Sequence, residues 1–207
     1  MTVDHAIPAV ILAGGAGRRM GGADKAFLAL AGAPLIGHVL ARLAPRAGAL
    51  AISANGPPER FARFALPVLA DPVPGRAGPL AGVLAAMRWA AAQGAGEVAT
   101  VAVDTPFLPL DLLARLAAAP GRPALAESAG RRHPTAALWP VALAPALAGA
   151  LGAGTRRLGL WADQAGAVSV PFPARAGADP FANINTQADL GAAEARIGRR
   201  CGPIPHR

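Results

Sequence analysis

Of the 20 basic lysine and arginine side chains in the sequence, only one, Lys25, is a lysine. It closes the stretch LAGGAGRRMGGADK, residues 12–25, in which glycine stands at positions 14, 15, 17, 21 and 22. Glycines that follow a strand let successive backbone amides curl around a phosphate chain, because no side chain intervenes and positive φ costs them little. An ammonium group is a compact charge on a flexible stem and can follow a phosphate that moves during a reaction. The planar guanidinium fork is suited instead to fixed, two-point contact. The stretch therefore predicts Arg18, Arg19 and Lys25 lying over an anion, with Lys25 and Arg19 taking up charge that develops as a phosphoryl group is transferred. The competing reading of Lys25 is an incidental surface position.

Two familiar phosphate-binding patterns do not fit. A dinucleotide fingerprint needs Gly-x-Gly-x-x-Gly, but Gly15-Ala16-Gly17-Arg18-Arg19 is followed by Met20. No Asp or Glu falls between Asp24 and Glu59 to hold a ribose at the end of a second strand. A Walker loop needs Gly-Lys-Ser/Thr, and here Ala23 and Asp24 separate Gly22 from Lys25, with Ala26 after it. Acids do occur farther on. Asp71 follows LPVLA and Asp104 follows ATVAV, each at the expected carboxyl end of a strand. A hard cation such as Mg²⁺ takes a few carboxylate oxygens together with phosphate oxygens and water, so these positions suit a nucleotide-bound metal. Asn55 can hydrogen-bond a base or ribose, or simply open the turn into Gly56. The histidines have no metal-ligand spacing, His133 reads as structural, and no Ser-His-Asp set is evident.

These residues need a scaffold that brings strand ends together. Ala9–Leu12, Ala49–Ser53, Leu66–Ala70 and Val98–Val103 read as strands, several of them apolar on both faces. Between them, Leu35, Ile36, Val39, Leu40 and Leu43 recur at helical spacing. So do Leu80, Val83, Leu84 and Met87, and then Leu112, Leu113 and Leu116. Strand and helix alternate, which predicts an α/β fold: a three-layer α/β/α, Rossmann-like, mostly parallel sheet that binds ligands beyond the strands' carboxyl ends. Farther on, Ala124–Ser128, Pro134–Trp139 and Val168–Phe172 read as strands, the first two flanking the turn AGRRH. Residues 134–155 carry no charge but include Pro140 and Pro145. They read as a buried pair of small-residue helices rather than a membrane span. FANINTQADL reads as a loop entering a helix, with Thr186 as N-cap and Asp189 three residues on. One domain over residues 1–198 is expected, followed by a disordered basic tail, 199–207.

A chain of 207 residues with 53% hydrophobic side chains can bury a full core. Its net charge of +8 suits an anionic partner, but aromatics make up only 4%, tyrosine is absent and the arginine pairs are dispersed, so nucleic acid is not expected. The single cysteine, Cys201, excludes an internal disulfide and fits a reducing cytoplasm. No export signal or membrane association is expected.

Taken together, LAGGAGRRMGGADK, ISAN (52–55), ADPVPGRAGPLAG (70–82), AVDTPFLP (102–109), HPTAALW (133–139) and FANINTQADL (181–190) resemble the bacterial molybdenum cofactor guanylyltransferases in both order and spacing. The likeness runs from Val10 to about Glu194. It implies a nucleotidyltransferase-type fold, GTP and Mg²⁺ in the amino-terminal half, and molybdopterin or molybdenum-molybdopterin as acceptor. It further implies contact with other molybdenum cofactor biosynthesis proteins and molybdoenzyme chaperones. By motif, Leu12, Ala13, Gly14 and Gly15 line the guanine nucleotide and Lys25 its phosphates. Asn55 and Asp71 touch further parts of the nucleotide, and Asp104 holds the metal. Gly22, Gly82, Arg157, Asn183 and Asn185 face the pterin. Gln187 stands where the family has proline after NINT. Two alternatives stay open: a cytidylyltransferase acting on the same pterin, which usually reads Leu-Ala-Ala-Gly in the first loop, and a nucleotide binder without transfer activity.

Overall fold

Strand β1 (Ala9–Leu12) is buried along its length, with Ala9 and Ile11 entering one apolar cluster and Val10 and Leu12 another. A strand that is apolar on both faces must be covered on both. The computed structural model, which describes residues 7–14, 24–73, 78–174 and 178–198, shows that cover. Seven strands form one sheet, in the order β5 (Val68–Leu69), β4 (Leu50–Ser53), β1, β6 (Glu97–Ala102), β8 (Arg131–Pro140), β7 (Ala124–Ser128) and β9 (Val168–Pro171). Only β8 runs against the others, pairing antiparallel with both β6 and β7. The two-residue strands β2 (Ala29–Leu30) and β3 (Ala33–Pro34) form a separate hairpin.

Helices α1 (Leu35–Leu43) and α3 (Leu112–Ala117) pack on the face that carries Ile11, Ile52 and Val101. Helices α2 (Pro79–Ala92), α4 (Ala144–Gly152) and α5 (Leu158–Gln164) cover the face with Val10, Leu12 and Trp139. The architecture is the expected three-layer α/β/α sandwich. After β1 the chain lays β4 and β5 on one side and then returns to place β6 on the other. Connections leaving neighbouring strand ends in opposite directions open a crevice at that edge. Helix α6 (Gln187–Gly198) lies outside this sandwich, where Ala193 joins Ile184, Leu30 and Phe107 in a small third cluster.

The carboxyl-terminal half departs from the expectation in detail. The hairpin turn is Ala129-Gly130, both at positive φ, so Arg131, Arg132 and His133 belong to β8 and not to the turn. Pro134 is tolerated inside the strand because the β7–β8 register jumps there: Leu125 faces Ala137 while Ala126 faces His133. A bulge needs no ladder hydrogen bond from a residue that has no N–H. Thr100 Oγ1 donates to Thr135 O at 3.0 Å and pins the bulge to β6. Residues 134–155 are not a helix pair: they supply the end of β8, a 3-10 turn (Val141–Leu143) and the single helix α4. The prolines oppose a helix pair, since neither fits a helix interior, and here Pro140 ends β8 and Pro145 lies in the first turn of α4. The edge strand β5 is shorter than Leu66–Ala70, and the tail 199–207 and Cys201 lie outside the described residues.

Gly82 sets how closely α2 approaches the sheet. A Cβ there would lie 2.8 Å from Ser53 Oγ and 2.9 Å from Leu12 Cδ2. Gly82→Val is expected to destabilise the protein by about 1–3 kcal/mol in urea unfolding. Gly82→Ala costs less, because Ser53 can rotate and alanine favours the helix.

Candidate active site

A cleft of about 640 Å³ opens at the carboxyl edge of β1, β4 and β6, within the size range of small-molecule sites. Leu12, Ala13 and Gly14 leave β1 along its floor, and Ser53 and Asn55 leave β4. Gly78, Pro79 and Gly82 bring the N-terminus of α2 to its wall. The positive end of a 14-residue helix lies there, an arrangement that favours a bound anion, although Pro79 has no N–H and Ala81 N already donates to Gly78 O at 3.2 Å.

At the β6 end, Lys25 Nζ donates to Asp104 Oδ2 at 2.9 Å and also to Asn185 Oδ1. Asn183 Nδ2 donates to the other oxygen, Asp104 Oδ1, at 2.8 Å. Residues distant in sequence meet here for local reasons. The Asp24 side chain caps a 3-10 turn, Lys25–Phe27, by accepting from Ala26 N at 3.1 Å, which fixes the lysine's base. Ile184 N donates to Asp104 O at 2.9 Å, docking the FANINT segment on the end of β6. The expected cap of α6 is present and reciprocal. Asp189 N donates to Thr186 Oγ1 at 3.1 Å, while Asp189 Oδ2 accepts from the amides of Asn185 and Thr186 at 2.8 Å. Those amide bonds hold the Asp189 carboxyl below its usual range, and the cap does not require the proline that Gln187 replaces.

At the β4 end, Asn55 and Asp71 interlock. Asn55 Nδ2 donates to Asp71 Oδ2 at 2.6 Å, and Asp71 N donates to Asn55 Oδ1 at 3.1 Å. Between the two ends stands Arg60, on a 3-10 turn, Pro58–Phe64. Its guanidinium donates to Asn55 O at 2.6 Å, pairs with Asp24 at 2.7 Å and lies 4.8 Å from the centre of the Phe61 ring.

The structure therefore brings Leu12, Ala13, Gly14, Lys25, Asn55, Asp71, Gly82 and Asp104 to one cleft, with Asn183 and Asn185 bonded to its charged centre. Arg157, by contrast, is exposed at the start of α5 and is not part of the cleft wall. Gly15, Arg18, Arg19 and Gly22 lie outside the described residues. The sequence reading missed Arg60, Ser53 and Thr135. Arg60 looks like any surface arginine in GPPERF, and Thr135 lines the cleft from the bulged stretch of β8. Among the described residues no three His, Cys, Asp or Glu side chains group as a metal cage. Asp104 offers hard oxygens on the cleft wall, and each of its carboxylate oxygens accepts one side-chain hydrogen bond among the described residues. That donor set fits a divalent cation held chiefly by substrate phosphates and water, not a buried structural metal.

Residues 9–165 match the MobA-like NTP transferase domain. The chain belongs to that family. This MobA-like NTP transferase is 55% identical over 188 residues to the molybdenum cofactor guanylyltransferase of Acidiphilium cryptum, covering 90% of this chain and 93% of the relative. It is 51% identical to the protein of that name from Mesorhizobium japonicum, covering 90% of this chain and 94% of the relative. Its fold is similar to the crystal structure of molybdopterin-guanine dinucleotide biosynthesis protein A from Archaeoglobus fulgidus, with a TM-score of 0.74 at 24% identity, over 93% of this chain and 100% of that one. No helix among the described residues is long and apolar enough to cross a membrane.

In this MobA-like NTP transferase His133 is structural, as expected, but it has company the sequence did not reveal. Ser128 Oγ donates to Asp179 Oδ1 at 2.7 Å and stands 2.7 Å from His133 Nε2, and His133 stacks on Phe181 at 4.6 Å. The hydroxyl proton goes to the carboxylate, so the imidazole is the donor to Ser128. This is a clamp on the FANINT segment, not a nucleophile with its base. Burial pushes His133 below its ordinary 6.5, outweighing the attraction of Asp179. Burial also acts to raise Asp179, but the Ser128 and Phe181 hydrogen bonds and nearby positive charge outweigh it and leave the carboxyl lowered.

The two shifts act in different windows. Between the lowered His133 value and 6.5 the unfolded chain binds a proton that the folded chain refuses, so stability falls as pH drops below about 6.5. Asp179 contributes stability above the ordinary carboxyl range, which is lost only as pH falls through its lowered value. Urea unfolding at about pH 7.5 and about pH 5.5 is expected to show a loss in the wild type that His133→Gln reduces, since glutamine keeps a donor for Ser128 without titrating.

Proposed function

We propose that the protein transfers GMP from GTP to molybdopterin or molybdenum-molybdopterin, releasing pyrophosphate and forming molybdopterin guanine dinucleotide. The observation that carries this reading is the Lys25–Asp104–Asn183 set at the end of β6, in the same cleft as the α2 N-terminus. An ammonium, a carboxylate and oriented amides there suit a reaction between two phosphates. The relatives' names supply the guanine and pterin specificity. An oxygen of the acceptor's terminal phosphate attacks the α-phosphorus of GTP. The new P–O bond forms as the bond to the bridging oxygen breaks, and pyrophosphate leaves with that electron pair.

No protein nucleophile is needed. The chain's work is to align two anions that repel each other and to stabilise charge as it moves onto the leaving group. Lys25 serves the phosphates, supported by the positive end of α2. Asn55 and Asp71 hold the base and ribose end. Asn183 and Asn185 set the acceptor side, Asn183 keeping Asp104 turned toward the cleft and Asn185 holding the Lys25 ammonium. Asp104 is the residue that would hold Mg²⁺, which when bound neutralises phosphate charge and polarises the α-phosphorus. Arg19 belongs to the same reading as a second cation on the triphosphate. A cytoplasmic setting fits both the substrates and an unpaired cysteine.

The test is pyrophosphate release with Mg²⁺ and molybdopterin, comparing GTP with CTP. Release with GTP is expected to require Asp104 and to vanish in Asp104→Ala. Lys25→Ala is expected to lower turnover by about 10²- to 10³-fold while GTP affinity falls far less. Preference for CTP would assign the chain a cytidylyl transfer instead, and nucleotide binding with no release would sink the catalytic reading.

A further inference from the structure

Asp24 and Arg60 form a link that no motif predicts. The Asp24 carboxylate has two tasks: Oδ1 caps the turn that begins at Lys25, and Oδ2, shielded from solvent, meets the Arg60 guanidinium at 2.7 Å as its only partner among the described residues. A shielded carboxylate oxygen left without that cation would be costly, so the turn's geometry depends on where Arg60 stands. Arg60 is placed in turn by Asn55 O at 2.6 Å and by the ring of Phe61, which is buried. Asn55 is interlocked with Asp71. The polar contacts thus run without a break from Asp71 through Asn55, Arg60 and Asp24 to the turn of Lys25, and from Lys25 to Asp104 and Asn183.

We propose that Arg60 is the positioning residue for Lys25: acting through Asp24, it holds the lysine's turn in register with the Asn55–Asp71 end of the cleft. A nucleoside triphosphate spans that distance, with its base and ribose at one end and its reacting phosphate at the other. A rigid guanidinium bridge keeps the two ends at one separation, so the ammonium meets the phosphate without a search. Arginine suits the task because one arm of its planar fork hydrogen-bonds the Asn55 carbonyl while the other sets its charge against Asp24 Oδ2, which a lysine ammonium does with less directional control. The kinetic part of this inference rests on the guanylyl transfer proposed above; the geometric part does not.

The sequence makes the geometric part directly measurable, because Lys25 is the only lysine in the chain. Lysine-selective isotope labelling therefore gives one side-chain NMR signal, belonging to Lys25. In Arg60→Met, which keeps the stem but loses the donors, that signal is expected to move toward the position of free lysine, with the tryptophan indole signals unchanged. Asp24→Asn, which retains an oxygen for the cap, is expected to do the same, and Arg60→Lys to restore part of the shift. In the pyrophosphate assay Arg60→Met is expected to lower kcat by about 10- to 100-fold, with KM for GTP changed by less than about threefold. The Arg60→Met, Asp24→Asn double variant should be no worse than either single one, because both cut one link. An unmoved Lys25 signal in folded Arg60→Met, or losses that multiply in the double variant, would overturn the proposal. A wild type that releases no pyrophosphate would defeat the guanylyl-transfer reading while the NMR shifts still decide the role of Arg60.

Discussion

Lys25 and Asp104 are 79 residues apart and meet at 2.9 Å, each with about one-sixth of its side chain exposed. Two opposite charges partly withdrawn from water are held firmly in place when their other bonds are also made. Here they are, since Asn183 takes the second oxygen of Asp104 and Asn185 shares the lysine. Much of the carboxyl-terminal half serves this arrangement. The Ser128–His133–Asp179 clamp, the Ile184 amide on the end of β6 and the reciprocal cap of α6 all fix the segment that delivers those two asparagines.

The rest of the molecule divides its labour by polarity. The sheet's interior is apolar on both faces, and its deepest polar groups are satisfied internally, as where Trp139 Nε1 donates to Thr100 Oγ1 at 2.9 Å. Charged groups of the cleft collect instead where β1 and β6 end and the connections diverge. A parallel sheet concentrates function there because strand ends expose backbone groups and loops that helices do not cover. The close approach of α2 at Gly82 follows the same logic: it brings the helix N-terminus, Gly78 to Gly82, against the end of the sheet where the cleft lies.

Much of the fold could be read directly from the sequence. β1 and β7 match their expected bounds, and the helices at 35–43 and 79–92 fall where apolar spacing put them. These are local properties: period, burial on both faces and turn chemistry. The less regular half was harder to read, because Pro134 and the uncharged run after it have no distinct period, and whether they form strand or helix depends on β6 and β7 being alongside. Arg157, a substrate contact by motif, stands exposed at the start of α5, away from the cleft wall.

From the sequence by itself came the residue types and their order: a glycine-rich stretch ending in a lone lysine, acids at two strand ends, two asparagines before a capped helix. Those determined that phosphate chemistry was the reading and where along the chain to look. Only the tertiary structure decided the partners, because contacts such as Asp104 with Asn183, Ser128 with Asp179, or Arg60 with Asp24 leave no mark on local spacing. Sheet order sets which strand ends become neighbours, and a side chain's role here depends on what stands a few ångströms away in space.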